Sequence, residues 1–258
     1  MVDVDSWLMT SEFGEKRPDF GEQVTSASLY RDLLIKATFN DRNRSIGNDI
    51  TAIDFSGAFA ETANKLNRLT QSDPSKREHG TIAYATPAGK VLIRNSIAQG
   101  NTDSISLHIE IRPNFGRFFL GISYGQDNFF ASMIHSHAID SPASPLDLSH
   151  LLLSGKDFAA LTSTFIVTPA RKIVVFRGAQ TPQLSQKEVK TKLDLWTKQV
   201  DERVTHFTKP DMDSEQIDDI KAKAQHAMLR QIIKKYDLKY FTCPAAQTIA
   251  RLNLQGEL

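Results

Sequence analysis

The sequence is short of several things, and each shortage narrows what the chain can be. It has one cysteine, Cys243, in 258 residues. A single thiol can neither close an internal disulfide nor supply a cysteine-rich zinc cage, so any metal must be held by His, Asp or Glu. No run of about 18 apolar residues occurs, which excludes a membrane-spanning helix and leaves no membrane partner to expect. An excess of charge is missing too, since 31 Lys+Arg against 30 Asp+Glu leave a net +1. Wrapping nucleic acid needs a cationic surplus, so no nucleic-acid partner is expected either. The opening residues, MVDVDSWLMTSEFGEKRP, carry acids where a signal peptide has a basic end and an apolar block. These absences together predict a cytoplasmic globular protein.

What is present fills one sizeable core, or one core and a small helical appendage, because 40% of the residues are hydrophobic. Residues 1–54 read as an N-terminal extension of unclear structure, with a short helix over Ser28–Ala37. From Ser56 onward Phe59, Ala63, Leu66 and Leu69 recur at helical spacing, and the polar run QSDPSKREHG ends that helix. The period then changes to two. Strands are predicted at Thr81–Thr86, Lys90–Arg94, Ser104–Ile111, Arg117–Ser123, Asn128–His135, Thr162–Thr168 and Lys172–Phe176, with a short helix at Pro145–Leu153. Turns fall at Thr86–Gly89, Gly100–Asp103 and Arg112–Gly116. The C-terminal third is helical: Ser185-x-x-Glu188 and Asp213-x-x-Gln216 are capping boxes, each followed by an apolar stripe. Lys187, Lys190, Lys192 and Lys198 read as a solvated face, and Leu238–Cys243 as a returning strand. The order of elements predicts an α+β fold, a mixed β-sheet flanked by helices.

One segment concentrates chemistry. On a strand ending Phe129-Phe130-Ala131-Ser132-Met133-Ile134-His135-Ser136-His137, side chains alternate, so His135 and His137 share a face with Phe129, Ala131 and Met133. Two imidazoles so placed can approach one ion. Ser144 before Pro145 is an N-cap and first-turn pairing that sets Asp147 at the third helical position, facing back toward the strand end. Two histidines and one aspartate with an open fourth position are a catalytic zinc arrangement rather than a closed structural one. Glu78, just before a predicted strand, is the candidate general acid/base, with Glu110 as a rival. Ser144 can support a developing oxyanion as well as cap its helix. His79, His150 and Asp140 lie near these residues and read as structural or surface groups. Cys243, which precedes a proline, reads as no nucleophile.

The pattern Glu78 … His135-Ser136-His137 … Ser144-Pro145-Leu146-Asp147 resembles the JAMM (JAB/MPN-type) zinc metalloprotease family, and its bacterial forms in particular. That motif is a remote glutamate, His-x-His, seven residues, Ser, two residues, Asp. Six residues, Ala138 to Ala143, separate His137 from Ser144 here, and Ala138 replaces the proline that commonly follows the second histidine. Loop closure varies weakly with length, so a one-residue shortening is tolerable where the loop has slack. The resemblance covers residues 55–180 and implies a JAMM/cytidine-deaminase-like architecture, with 181–258 as a helical C-terminal region packed on that domain. It also implies His135, His137 and Asp147 as zinc ligands, Glu78 as general acid/base and Ser144 as oxyanion support. The implied activity is hydrolysis of peptide or isopeptide bonds in a protein or peptide substrate, including removal of a ubiquitin-like modifier. The alternative is an inactive scaffold of the same fold that binds a protein partner.

Overall fold

The computed structural model describes residues 22–23, 29–39, 45–86, 88–94, 97–100, 129–153 and 161–253. The strands expected at Ser104–Ile111 and Arg117–Ser123, the turns at 101–103 and 112–116, and Glu110 lie outside the described residues. The elements are β1 (Glu22–Gln23), α1 (Leu29–Phe39), β2 (Ala52–Asp54), α2 (Ala58–Ser72), β3 (His79–Ala85), β4 (Val91–Ile93), β5 (Ala98–Gln99) and β6 (Phe129–Ser136). They continue as α3 (Pro145–Ser149) with a 3-10 turn at His150–Leu152, β7 (Ser163–Val167), β8 (Arg171–Arg177), α4 (Gln186–Phe207), α5 (Ser214–Tyr236), β9 (Leu238–Pro244) and β10 (Ile249–Leu252).

The fold is α+β, built on one mixed sheet in the order β1-β4-β3-β6-β7-β8-β9-β10-β2, with β5 also pairing with β3. β6 and β7 run parallel, Ser132 opposite Ser163 through Ser136 opposite Val167. The other pairs are antiparallel. Gly89, at φ +72°, supplies the left-handed position that lets β3 turn into β4.

Helices cover both faces, which is why β8 reads as the continuous apolar run Ile173–Phe176 rather than as alternation. On one face α1 and α2 bury Tyr30, Leu34, Phe59, Ala63 and Leu66 against Ala83, Ile134, Phe165, Val174 and Phe241. The Tyr30 hydroxyl, fully buried, meets Ser132 Oγ at 2.7 Å and Ser163 Oγ at 3.1 Å, so a polar tip inside the core is satisfied by the two central strands. On the other face α3, α4 and α5 bury Leu148, Trp196, Val200, Met228 and Ile232 against Ile82, Met133, Ile166, Val175 and Tyr240. Both expected capping boxes are formed at the starts of α4 and α5. Lys187, Lys190 and Lys198 are exposed on α4, and Lys192 lies over the Tyr236 ring.

Two local differences from the expected pattern have physical reasons. Ser132 pairs with Ala83 while Phe130 pairs with Tyr84, so Ala131 is an extra residue in β6. This bulge puts Ala131 into the α1/α2 core, away from the face shared by Met133, His135 and His137. The helix expected at Pro145–Leu153 tightens to 3-10 after Ser149, as short helices commonly do at their last turn. The short helix expected at Ser28–Ala37 is α1, Leu29–Phe39, and residues 52–54, in the rest of that N-terminal segment, are an edge strand of this same sheet. Among the described residues, no helix is long and apolar enough to cross a membrane.

Candidate metal centre

The centre is assembled from three stretches of chain. Strand alternation puts His135 and His137 on the α3 side of the sheet, buried to 2% and 6% exposure. α3 starts where Ser144 caps it, and Pro145 supplies the fixed φ of its first turn. The cap is reciprocal. Ser144 N–H donates to Asp147 Oδ2 at 2.6 Å, and Asp147 N–H donates to Ser144 Oγ at 3.2 Å. This fixes the aspartate carboxylate, which is buried and faces both imidazoles: Oδ1 lies 3.1 Å from His135 Nε2 and Oδ2 lies 3.5 Å from His137 Nε2. The two Nε2 atoms are 3.1 Å apart.

The connection from His137 to Ser144 is held at several points. Gln71 Nε2 donates to Ala138 O at 3.1 Å. Asp140 receives Thr168 Oγ1 at 2.5 Å and the Arg171 guanidinium, whose Nε is at 2.8 Å, so Asp140 anchors the loop rather than joining the cluster. Ser141 Oγ lies 2.8 Å from His137 Nδ1 and so orients that ring through the nitrogen facing away from the cluster. Six residues therefore suffice to bring Asp147 to both histidines.

Glu78 is brought to the same place by the sheet. Gly80 pairs with His135 at the end of the antiparallel β3–β6 ladder, and Glu78 lies two residues beyond Gly80, just before β3, as His137 lies two beyond His135, just after β6. Glu78 is buried to 8% exposure, and Gly100 N–H donates to its carbonyl at 2.8 Å. Its charge is felt by His137. Burial disfavours the imidazolium there, but the hydrogen bond and charge of Asp147, followed by the charge of Glu78, outweigh it and raise the His137 pKa. Burial likewise opposes ionisation of Asp147, yet His135 and His137 hold its carboxyl well below the usual carboxylate range.

The donor set fits a metal. Among the described residues, His135, His137 and Asp147 form a group of three buried side chains whose ligand atoms lie within 4.8 Å of one another. Zinc bonds of about 2.0–2.1 Å in tetrahedral geometry put ligand atoms about 3.3 Å apart, and the separations of 3.1, 3.1 and 3.5 Å straddle that value. His135 Nδ1 is buried with no hydrogen-bond partner among the described residues. The polar contacts of its ring are thus made through Nε2, toward His137 and Asp147.

The remaining candidates fall elsewhere. His79 points to the opposite face, where its Nδ1 lies 3.0 Å from Thr70 Oγ1. His150 is half-buried at the end of α3. Cys243 sits in β9, where burial pushes its thiol up to about 11, so it is no thiolate at neutral pH. Sequence reasoning missed Thr70, Ser141 and Arg171. Nothing local marks them, because each acts on a partner brought near by tertiary structure; only Ser141, within the His137–Ser144 connection, was close enough in sequence to be found. Comparison of the chain with protein-family models, with curated proteins and with solved structures yields no match.

Proposed function

We propose that this chain is a zinc-dependent hydrolase of JAMM type that cleaves peptide or isopeptide bonds in a protein or peptide substrate. The observation that carries the reading is the convergence of His135 Nε2, His137 Nε2 and an Asp147 carboxylate oxygen at zinc-like spacing, with the Glu78 carboxylate acting on the same cluster. The order of elements supports it: α2 leads into the strand that follows Glu78, His-x-His ends β6, and a short helix carries Asp147. That order is the one the resemblance to the JAMM family implies. Zinc, when bound, lowers the pKa of water and polarises a carbonyl.

The chain's own residues then have distinct tasks. His135, His137 and Asp147 hold the ion, the histidines as neutral imidazoles and the aspartate as carboxylate. Glu78 accepts a proton from the attacking water and returns it to the departing amine. Ser144 Oγ accepts a hydrogen bond from Asp147 N–H, which leaves its hydrogen to donate to the developing oxyanion. Ile166, buried opposite His135 in the β6–β7 ladder, keeps that side of the site apolar and strengthens these charge interactions.

The test is metal analysis of the purified protein, joined to incubation of wild type and Glu78→Gln with a panel of isopeptide-linked and linear substrates. Stoichiometric zinc with hydrolysis that Glu78→Gln abolishes is the expected result. Protein that binds zinc but cleaves none of the panel points to the scaffold function instead.

A further inference from the structure

Behind the metal centre, on the opposite face of the sheet, lies a buried polar cluster that the proposed chemistry does not use. Ser136, between the two histidines, points away from them, and its hydroxyl lies 2.5 Å from Thr70 Oγ1. Thr70 is in the last turn of α2, and its Oγ1 is also 3.0 Å from His79 Nδ1. The main chain of His79 meets the same Ser136 hydroxyl twice. Its N–H donates to Ser136 Oγ at 3.1 Å, and its carbonyl lies 3.1 Å from that oxygen. Thr70 and Ser136 are completely buried and His79 is 8% exposed. An apolar core would be the cheaper filling at this position, because buried hydroxyls lose water and must each find a partner.

The hydrogens close in a consistent chain. If Ser136 donates to the His79 carbonyl, Thr70 must donate to Ser136 and His79 Nδ1–H must donate to Thr70. If Ser136 donates to Thr70 instead, Thr70 donates to an unprotonated His79 Nδ1. In both arrangements each hydroxyl gives one hydrogen and receives at least one, so removing either breaks the chain.

The location gives the cluster its meaning. The paired residues of β3 and β6 run out at Gly80 and His135. One residue further, at the level of Ser136, a side-chain hydroxyl ties the two strands and links both to α2. The residues on either side of these ties are Glu78, His135 and His137. We propose that Thr70, Ser136 and His79 form a rear brace for the metal centre, with Thr70 and Ser136 as positioning residues that hold the two imidazoles in binding geometry. They touch neither ion nor substrate and act through the strand ends. This inference rests on the metal reading above.

The experiment is a cobalt(II) titration of the full chain, followed by the visible absorption of the bound ion, in wild type, Thr70→Val and Thr70→Ser. Thr70→Val keeps the shape of the side chain and removes its hydroxyl, while Thr70→Ser keeps the hydroxyl. Partners that orient metal ligands typically contribute about 10- to 100-fold in affinity. Thr70→Val is therefore expected to bind cobalt at least about ten-fold more weakly, with its far-ultraviolet circular dichroism unchanged, and Thr70→Ser to stay close to wild type. A merely structural threonine lowers the unfolding temperature but leaves the affinity of the folded protein unchanged, and that result overturns the brace alone. Wild-type protein that takes up no cobalt overturns the metal reading and the brace with it. Should Thr70→Val not fold, Ser136→Ala removes the same link from the strand side and is read in the same way.

Discussion

Ser144 and Asp147 hold each other through two reciprocal backbone-to-side-chain hydrogen bonds, and the carboxylate fixed in this way is the one that faces both histidines. Helix capping and the placement of the candidate ligand Asp147 are thus one structural event. The carboxylate needs no separate device to choose its rotamer, because the first turn of α3 chooses it.

Ser144→Ala removes the acceptor for Asp147 N–H but leaves the Ser144 main-chain donor in place. Loss of such a cap costs about 1 kcal/mol, readable as a shift in the urea midpoint with an unchanged slope. Metal content should remain stoichiometric, since all three ligands persist. A Ser144→Ala protein stripped of metal would show that the cap, more than the ligands, determines binding.

His135→Ala and Glu78→Gln should separate binding from chemistry. The first removes a ligand and should abolish both zinc retention and hydrolysis. The second keeps the ligand set, so zinc should stay while turnover falls by about 10² to 10⁴, the usual worth of a positioned acid/base. Stoichiometric zinc in His135→Ala would overturn the assignment of the ligands.

The protons on the cluster make metal binding depend on pH. Without metal, the depressed Asp147 pKa adds stability above the unfolded carboxylate value of about 3.9, and that gain is lost as pH falls through the folded value. The raised His137 pKa adds stability below the unfolded histidine value of about 6.5, and that gain is lost as pH rises through the folded value. Together they favour the metal-free protein most between roughly pH 4 and 6.5. Zinc needs a neutral imidazole, so its stabilisation should grow with pH. Melting temperatures with zinc and with a chelator should diverge more at pH 8 than at pH 5.5. A zinc-dependent shift that shrinks with rising pH would count against histidine ligation.

Gly178→Ala tests a tight junction between the end of β8 and the end of α5. A Cβ there would lie 2.2 Å from the Asp237 carbonyl oxygen, and Gly178 N–H already donates to that oxygen at 2.8 Å. Backbone must move to admit the methyl group, which should cost about 1–3 kcal/mol in denaturant unfolding. Metal content should be unaffected.

The sequence was most legible where structure is local. Ser144-Pro145 announces the start of α3, and the capping boxes at Ser185 and Asp213 start their helices where expected. His135 and His137 share a face because alternation is a property of any strand. Legibility fails where a residue's meaning depends on a distant partner. The bulge at Ala131 depends on how β3 pairs, and β10, whose four residues join β9 to β2, carries no strong pattern of its own. Thr70 looks like one more position in an amphipathic helix until Ser136 and His79 are placed beside it. Tyr30 falls in the expected helix over Ser28–Ala37, but nothing local shows that its hydroxyl ties α1 to both central strands, whose Ser132 and Ser163 lie more than a hundred residues away.

The pairing of β2 with β10 has a consequence in time. Ile53 of β2 finds its partner in Ala250, across most of the chain. As the chain emerges from the ribosome, α1, α2 and the strand that carries His135 are all complete before that edge can close. The apolar side of β2 must therefore wait, and contacts so distant in sequence are slow to form. Truncation before Ile249 would leave that wait without an end, exposing an unpaired strand edge through which copies of the chain could associate.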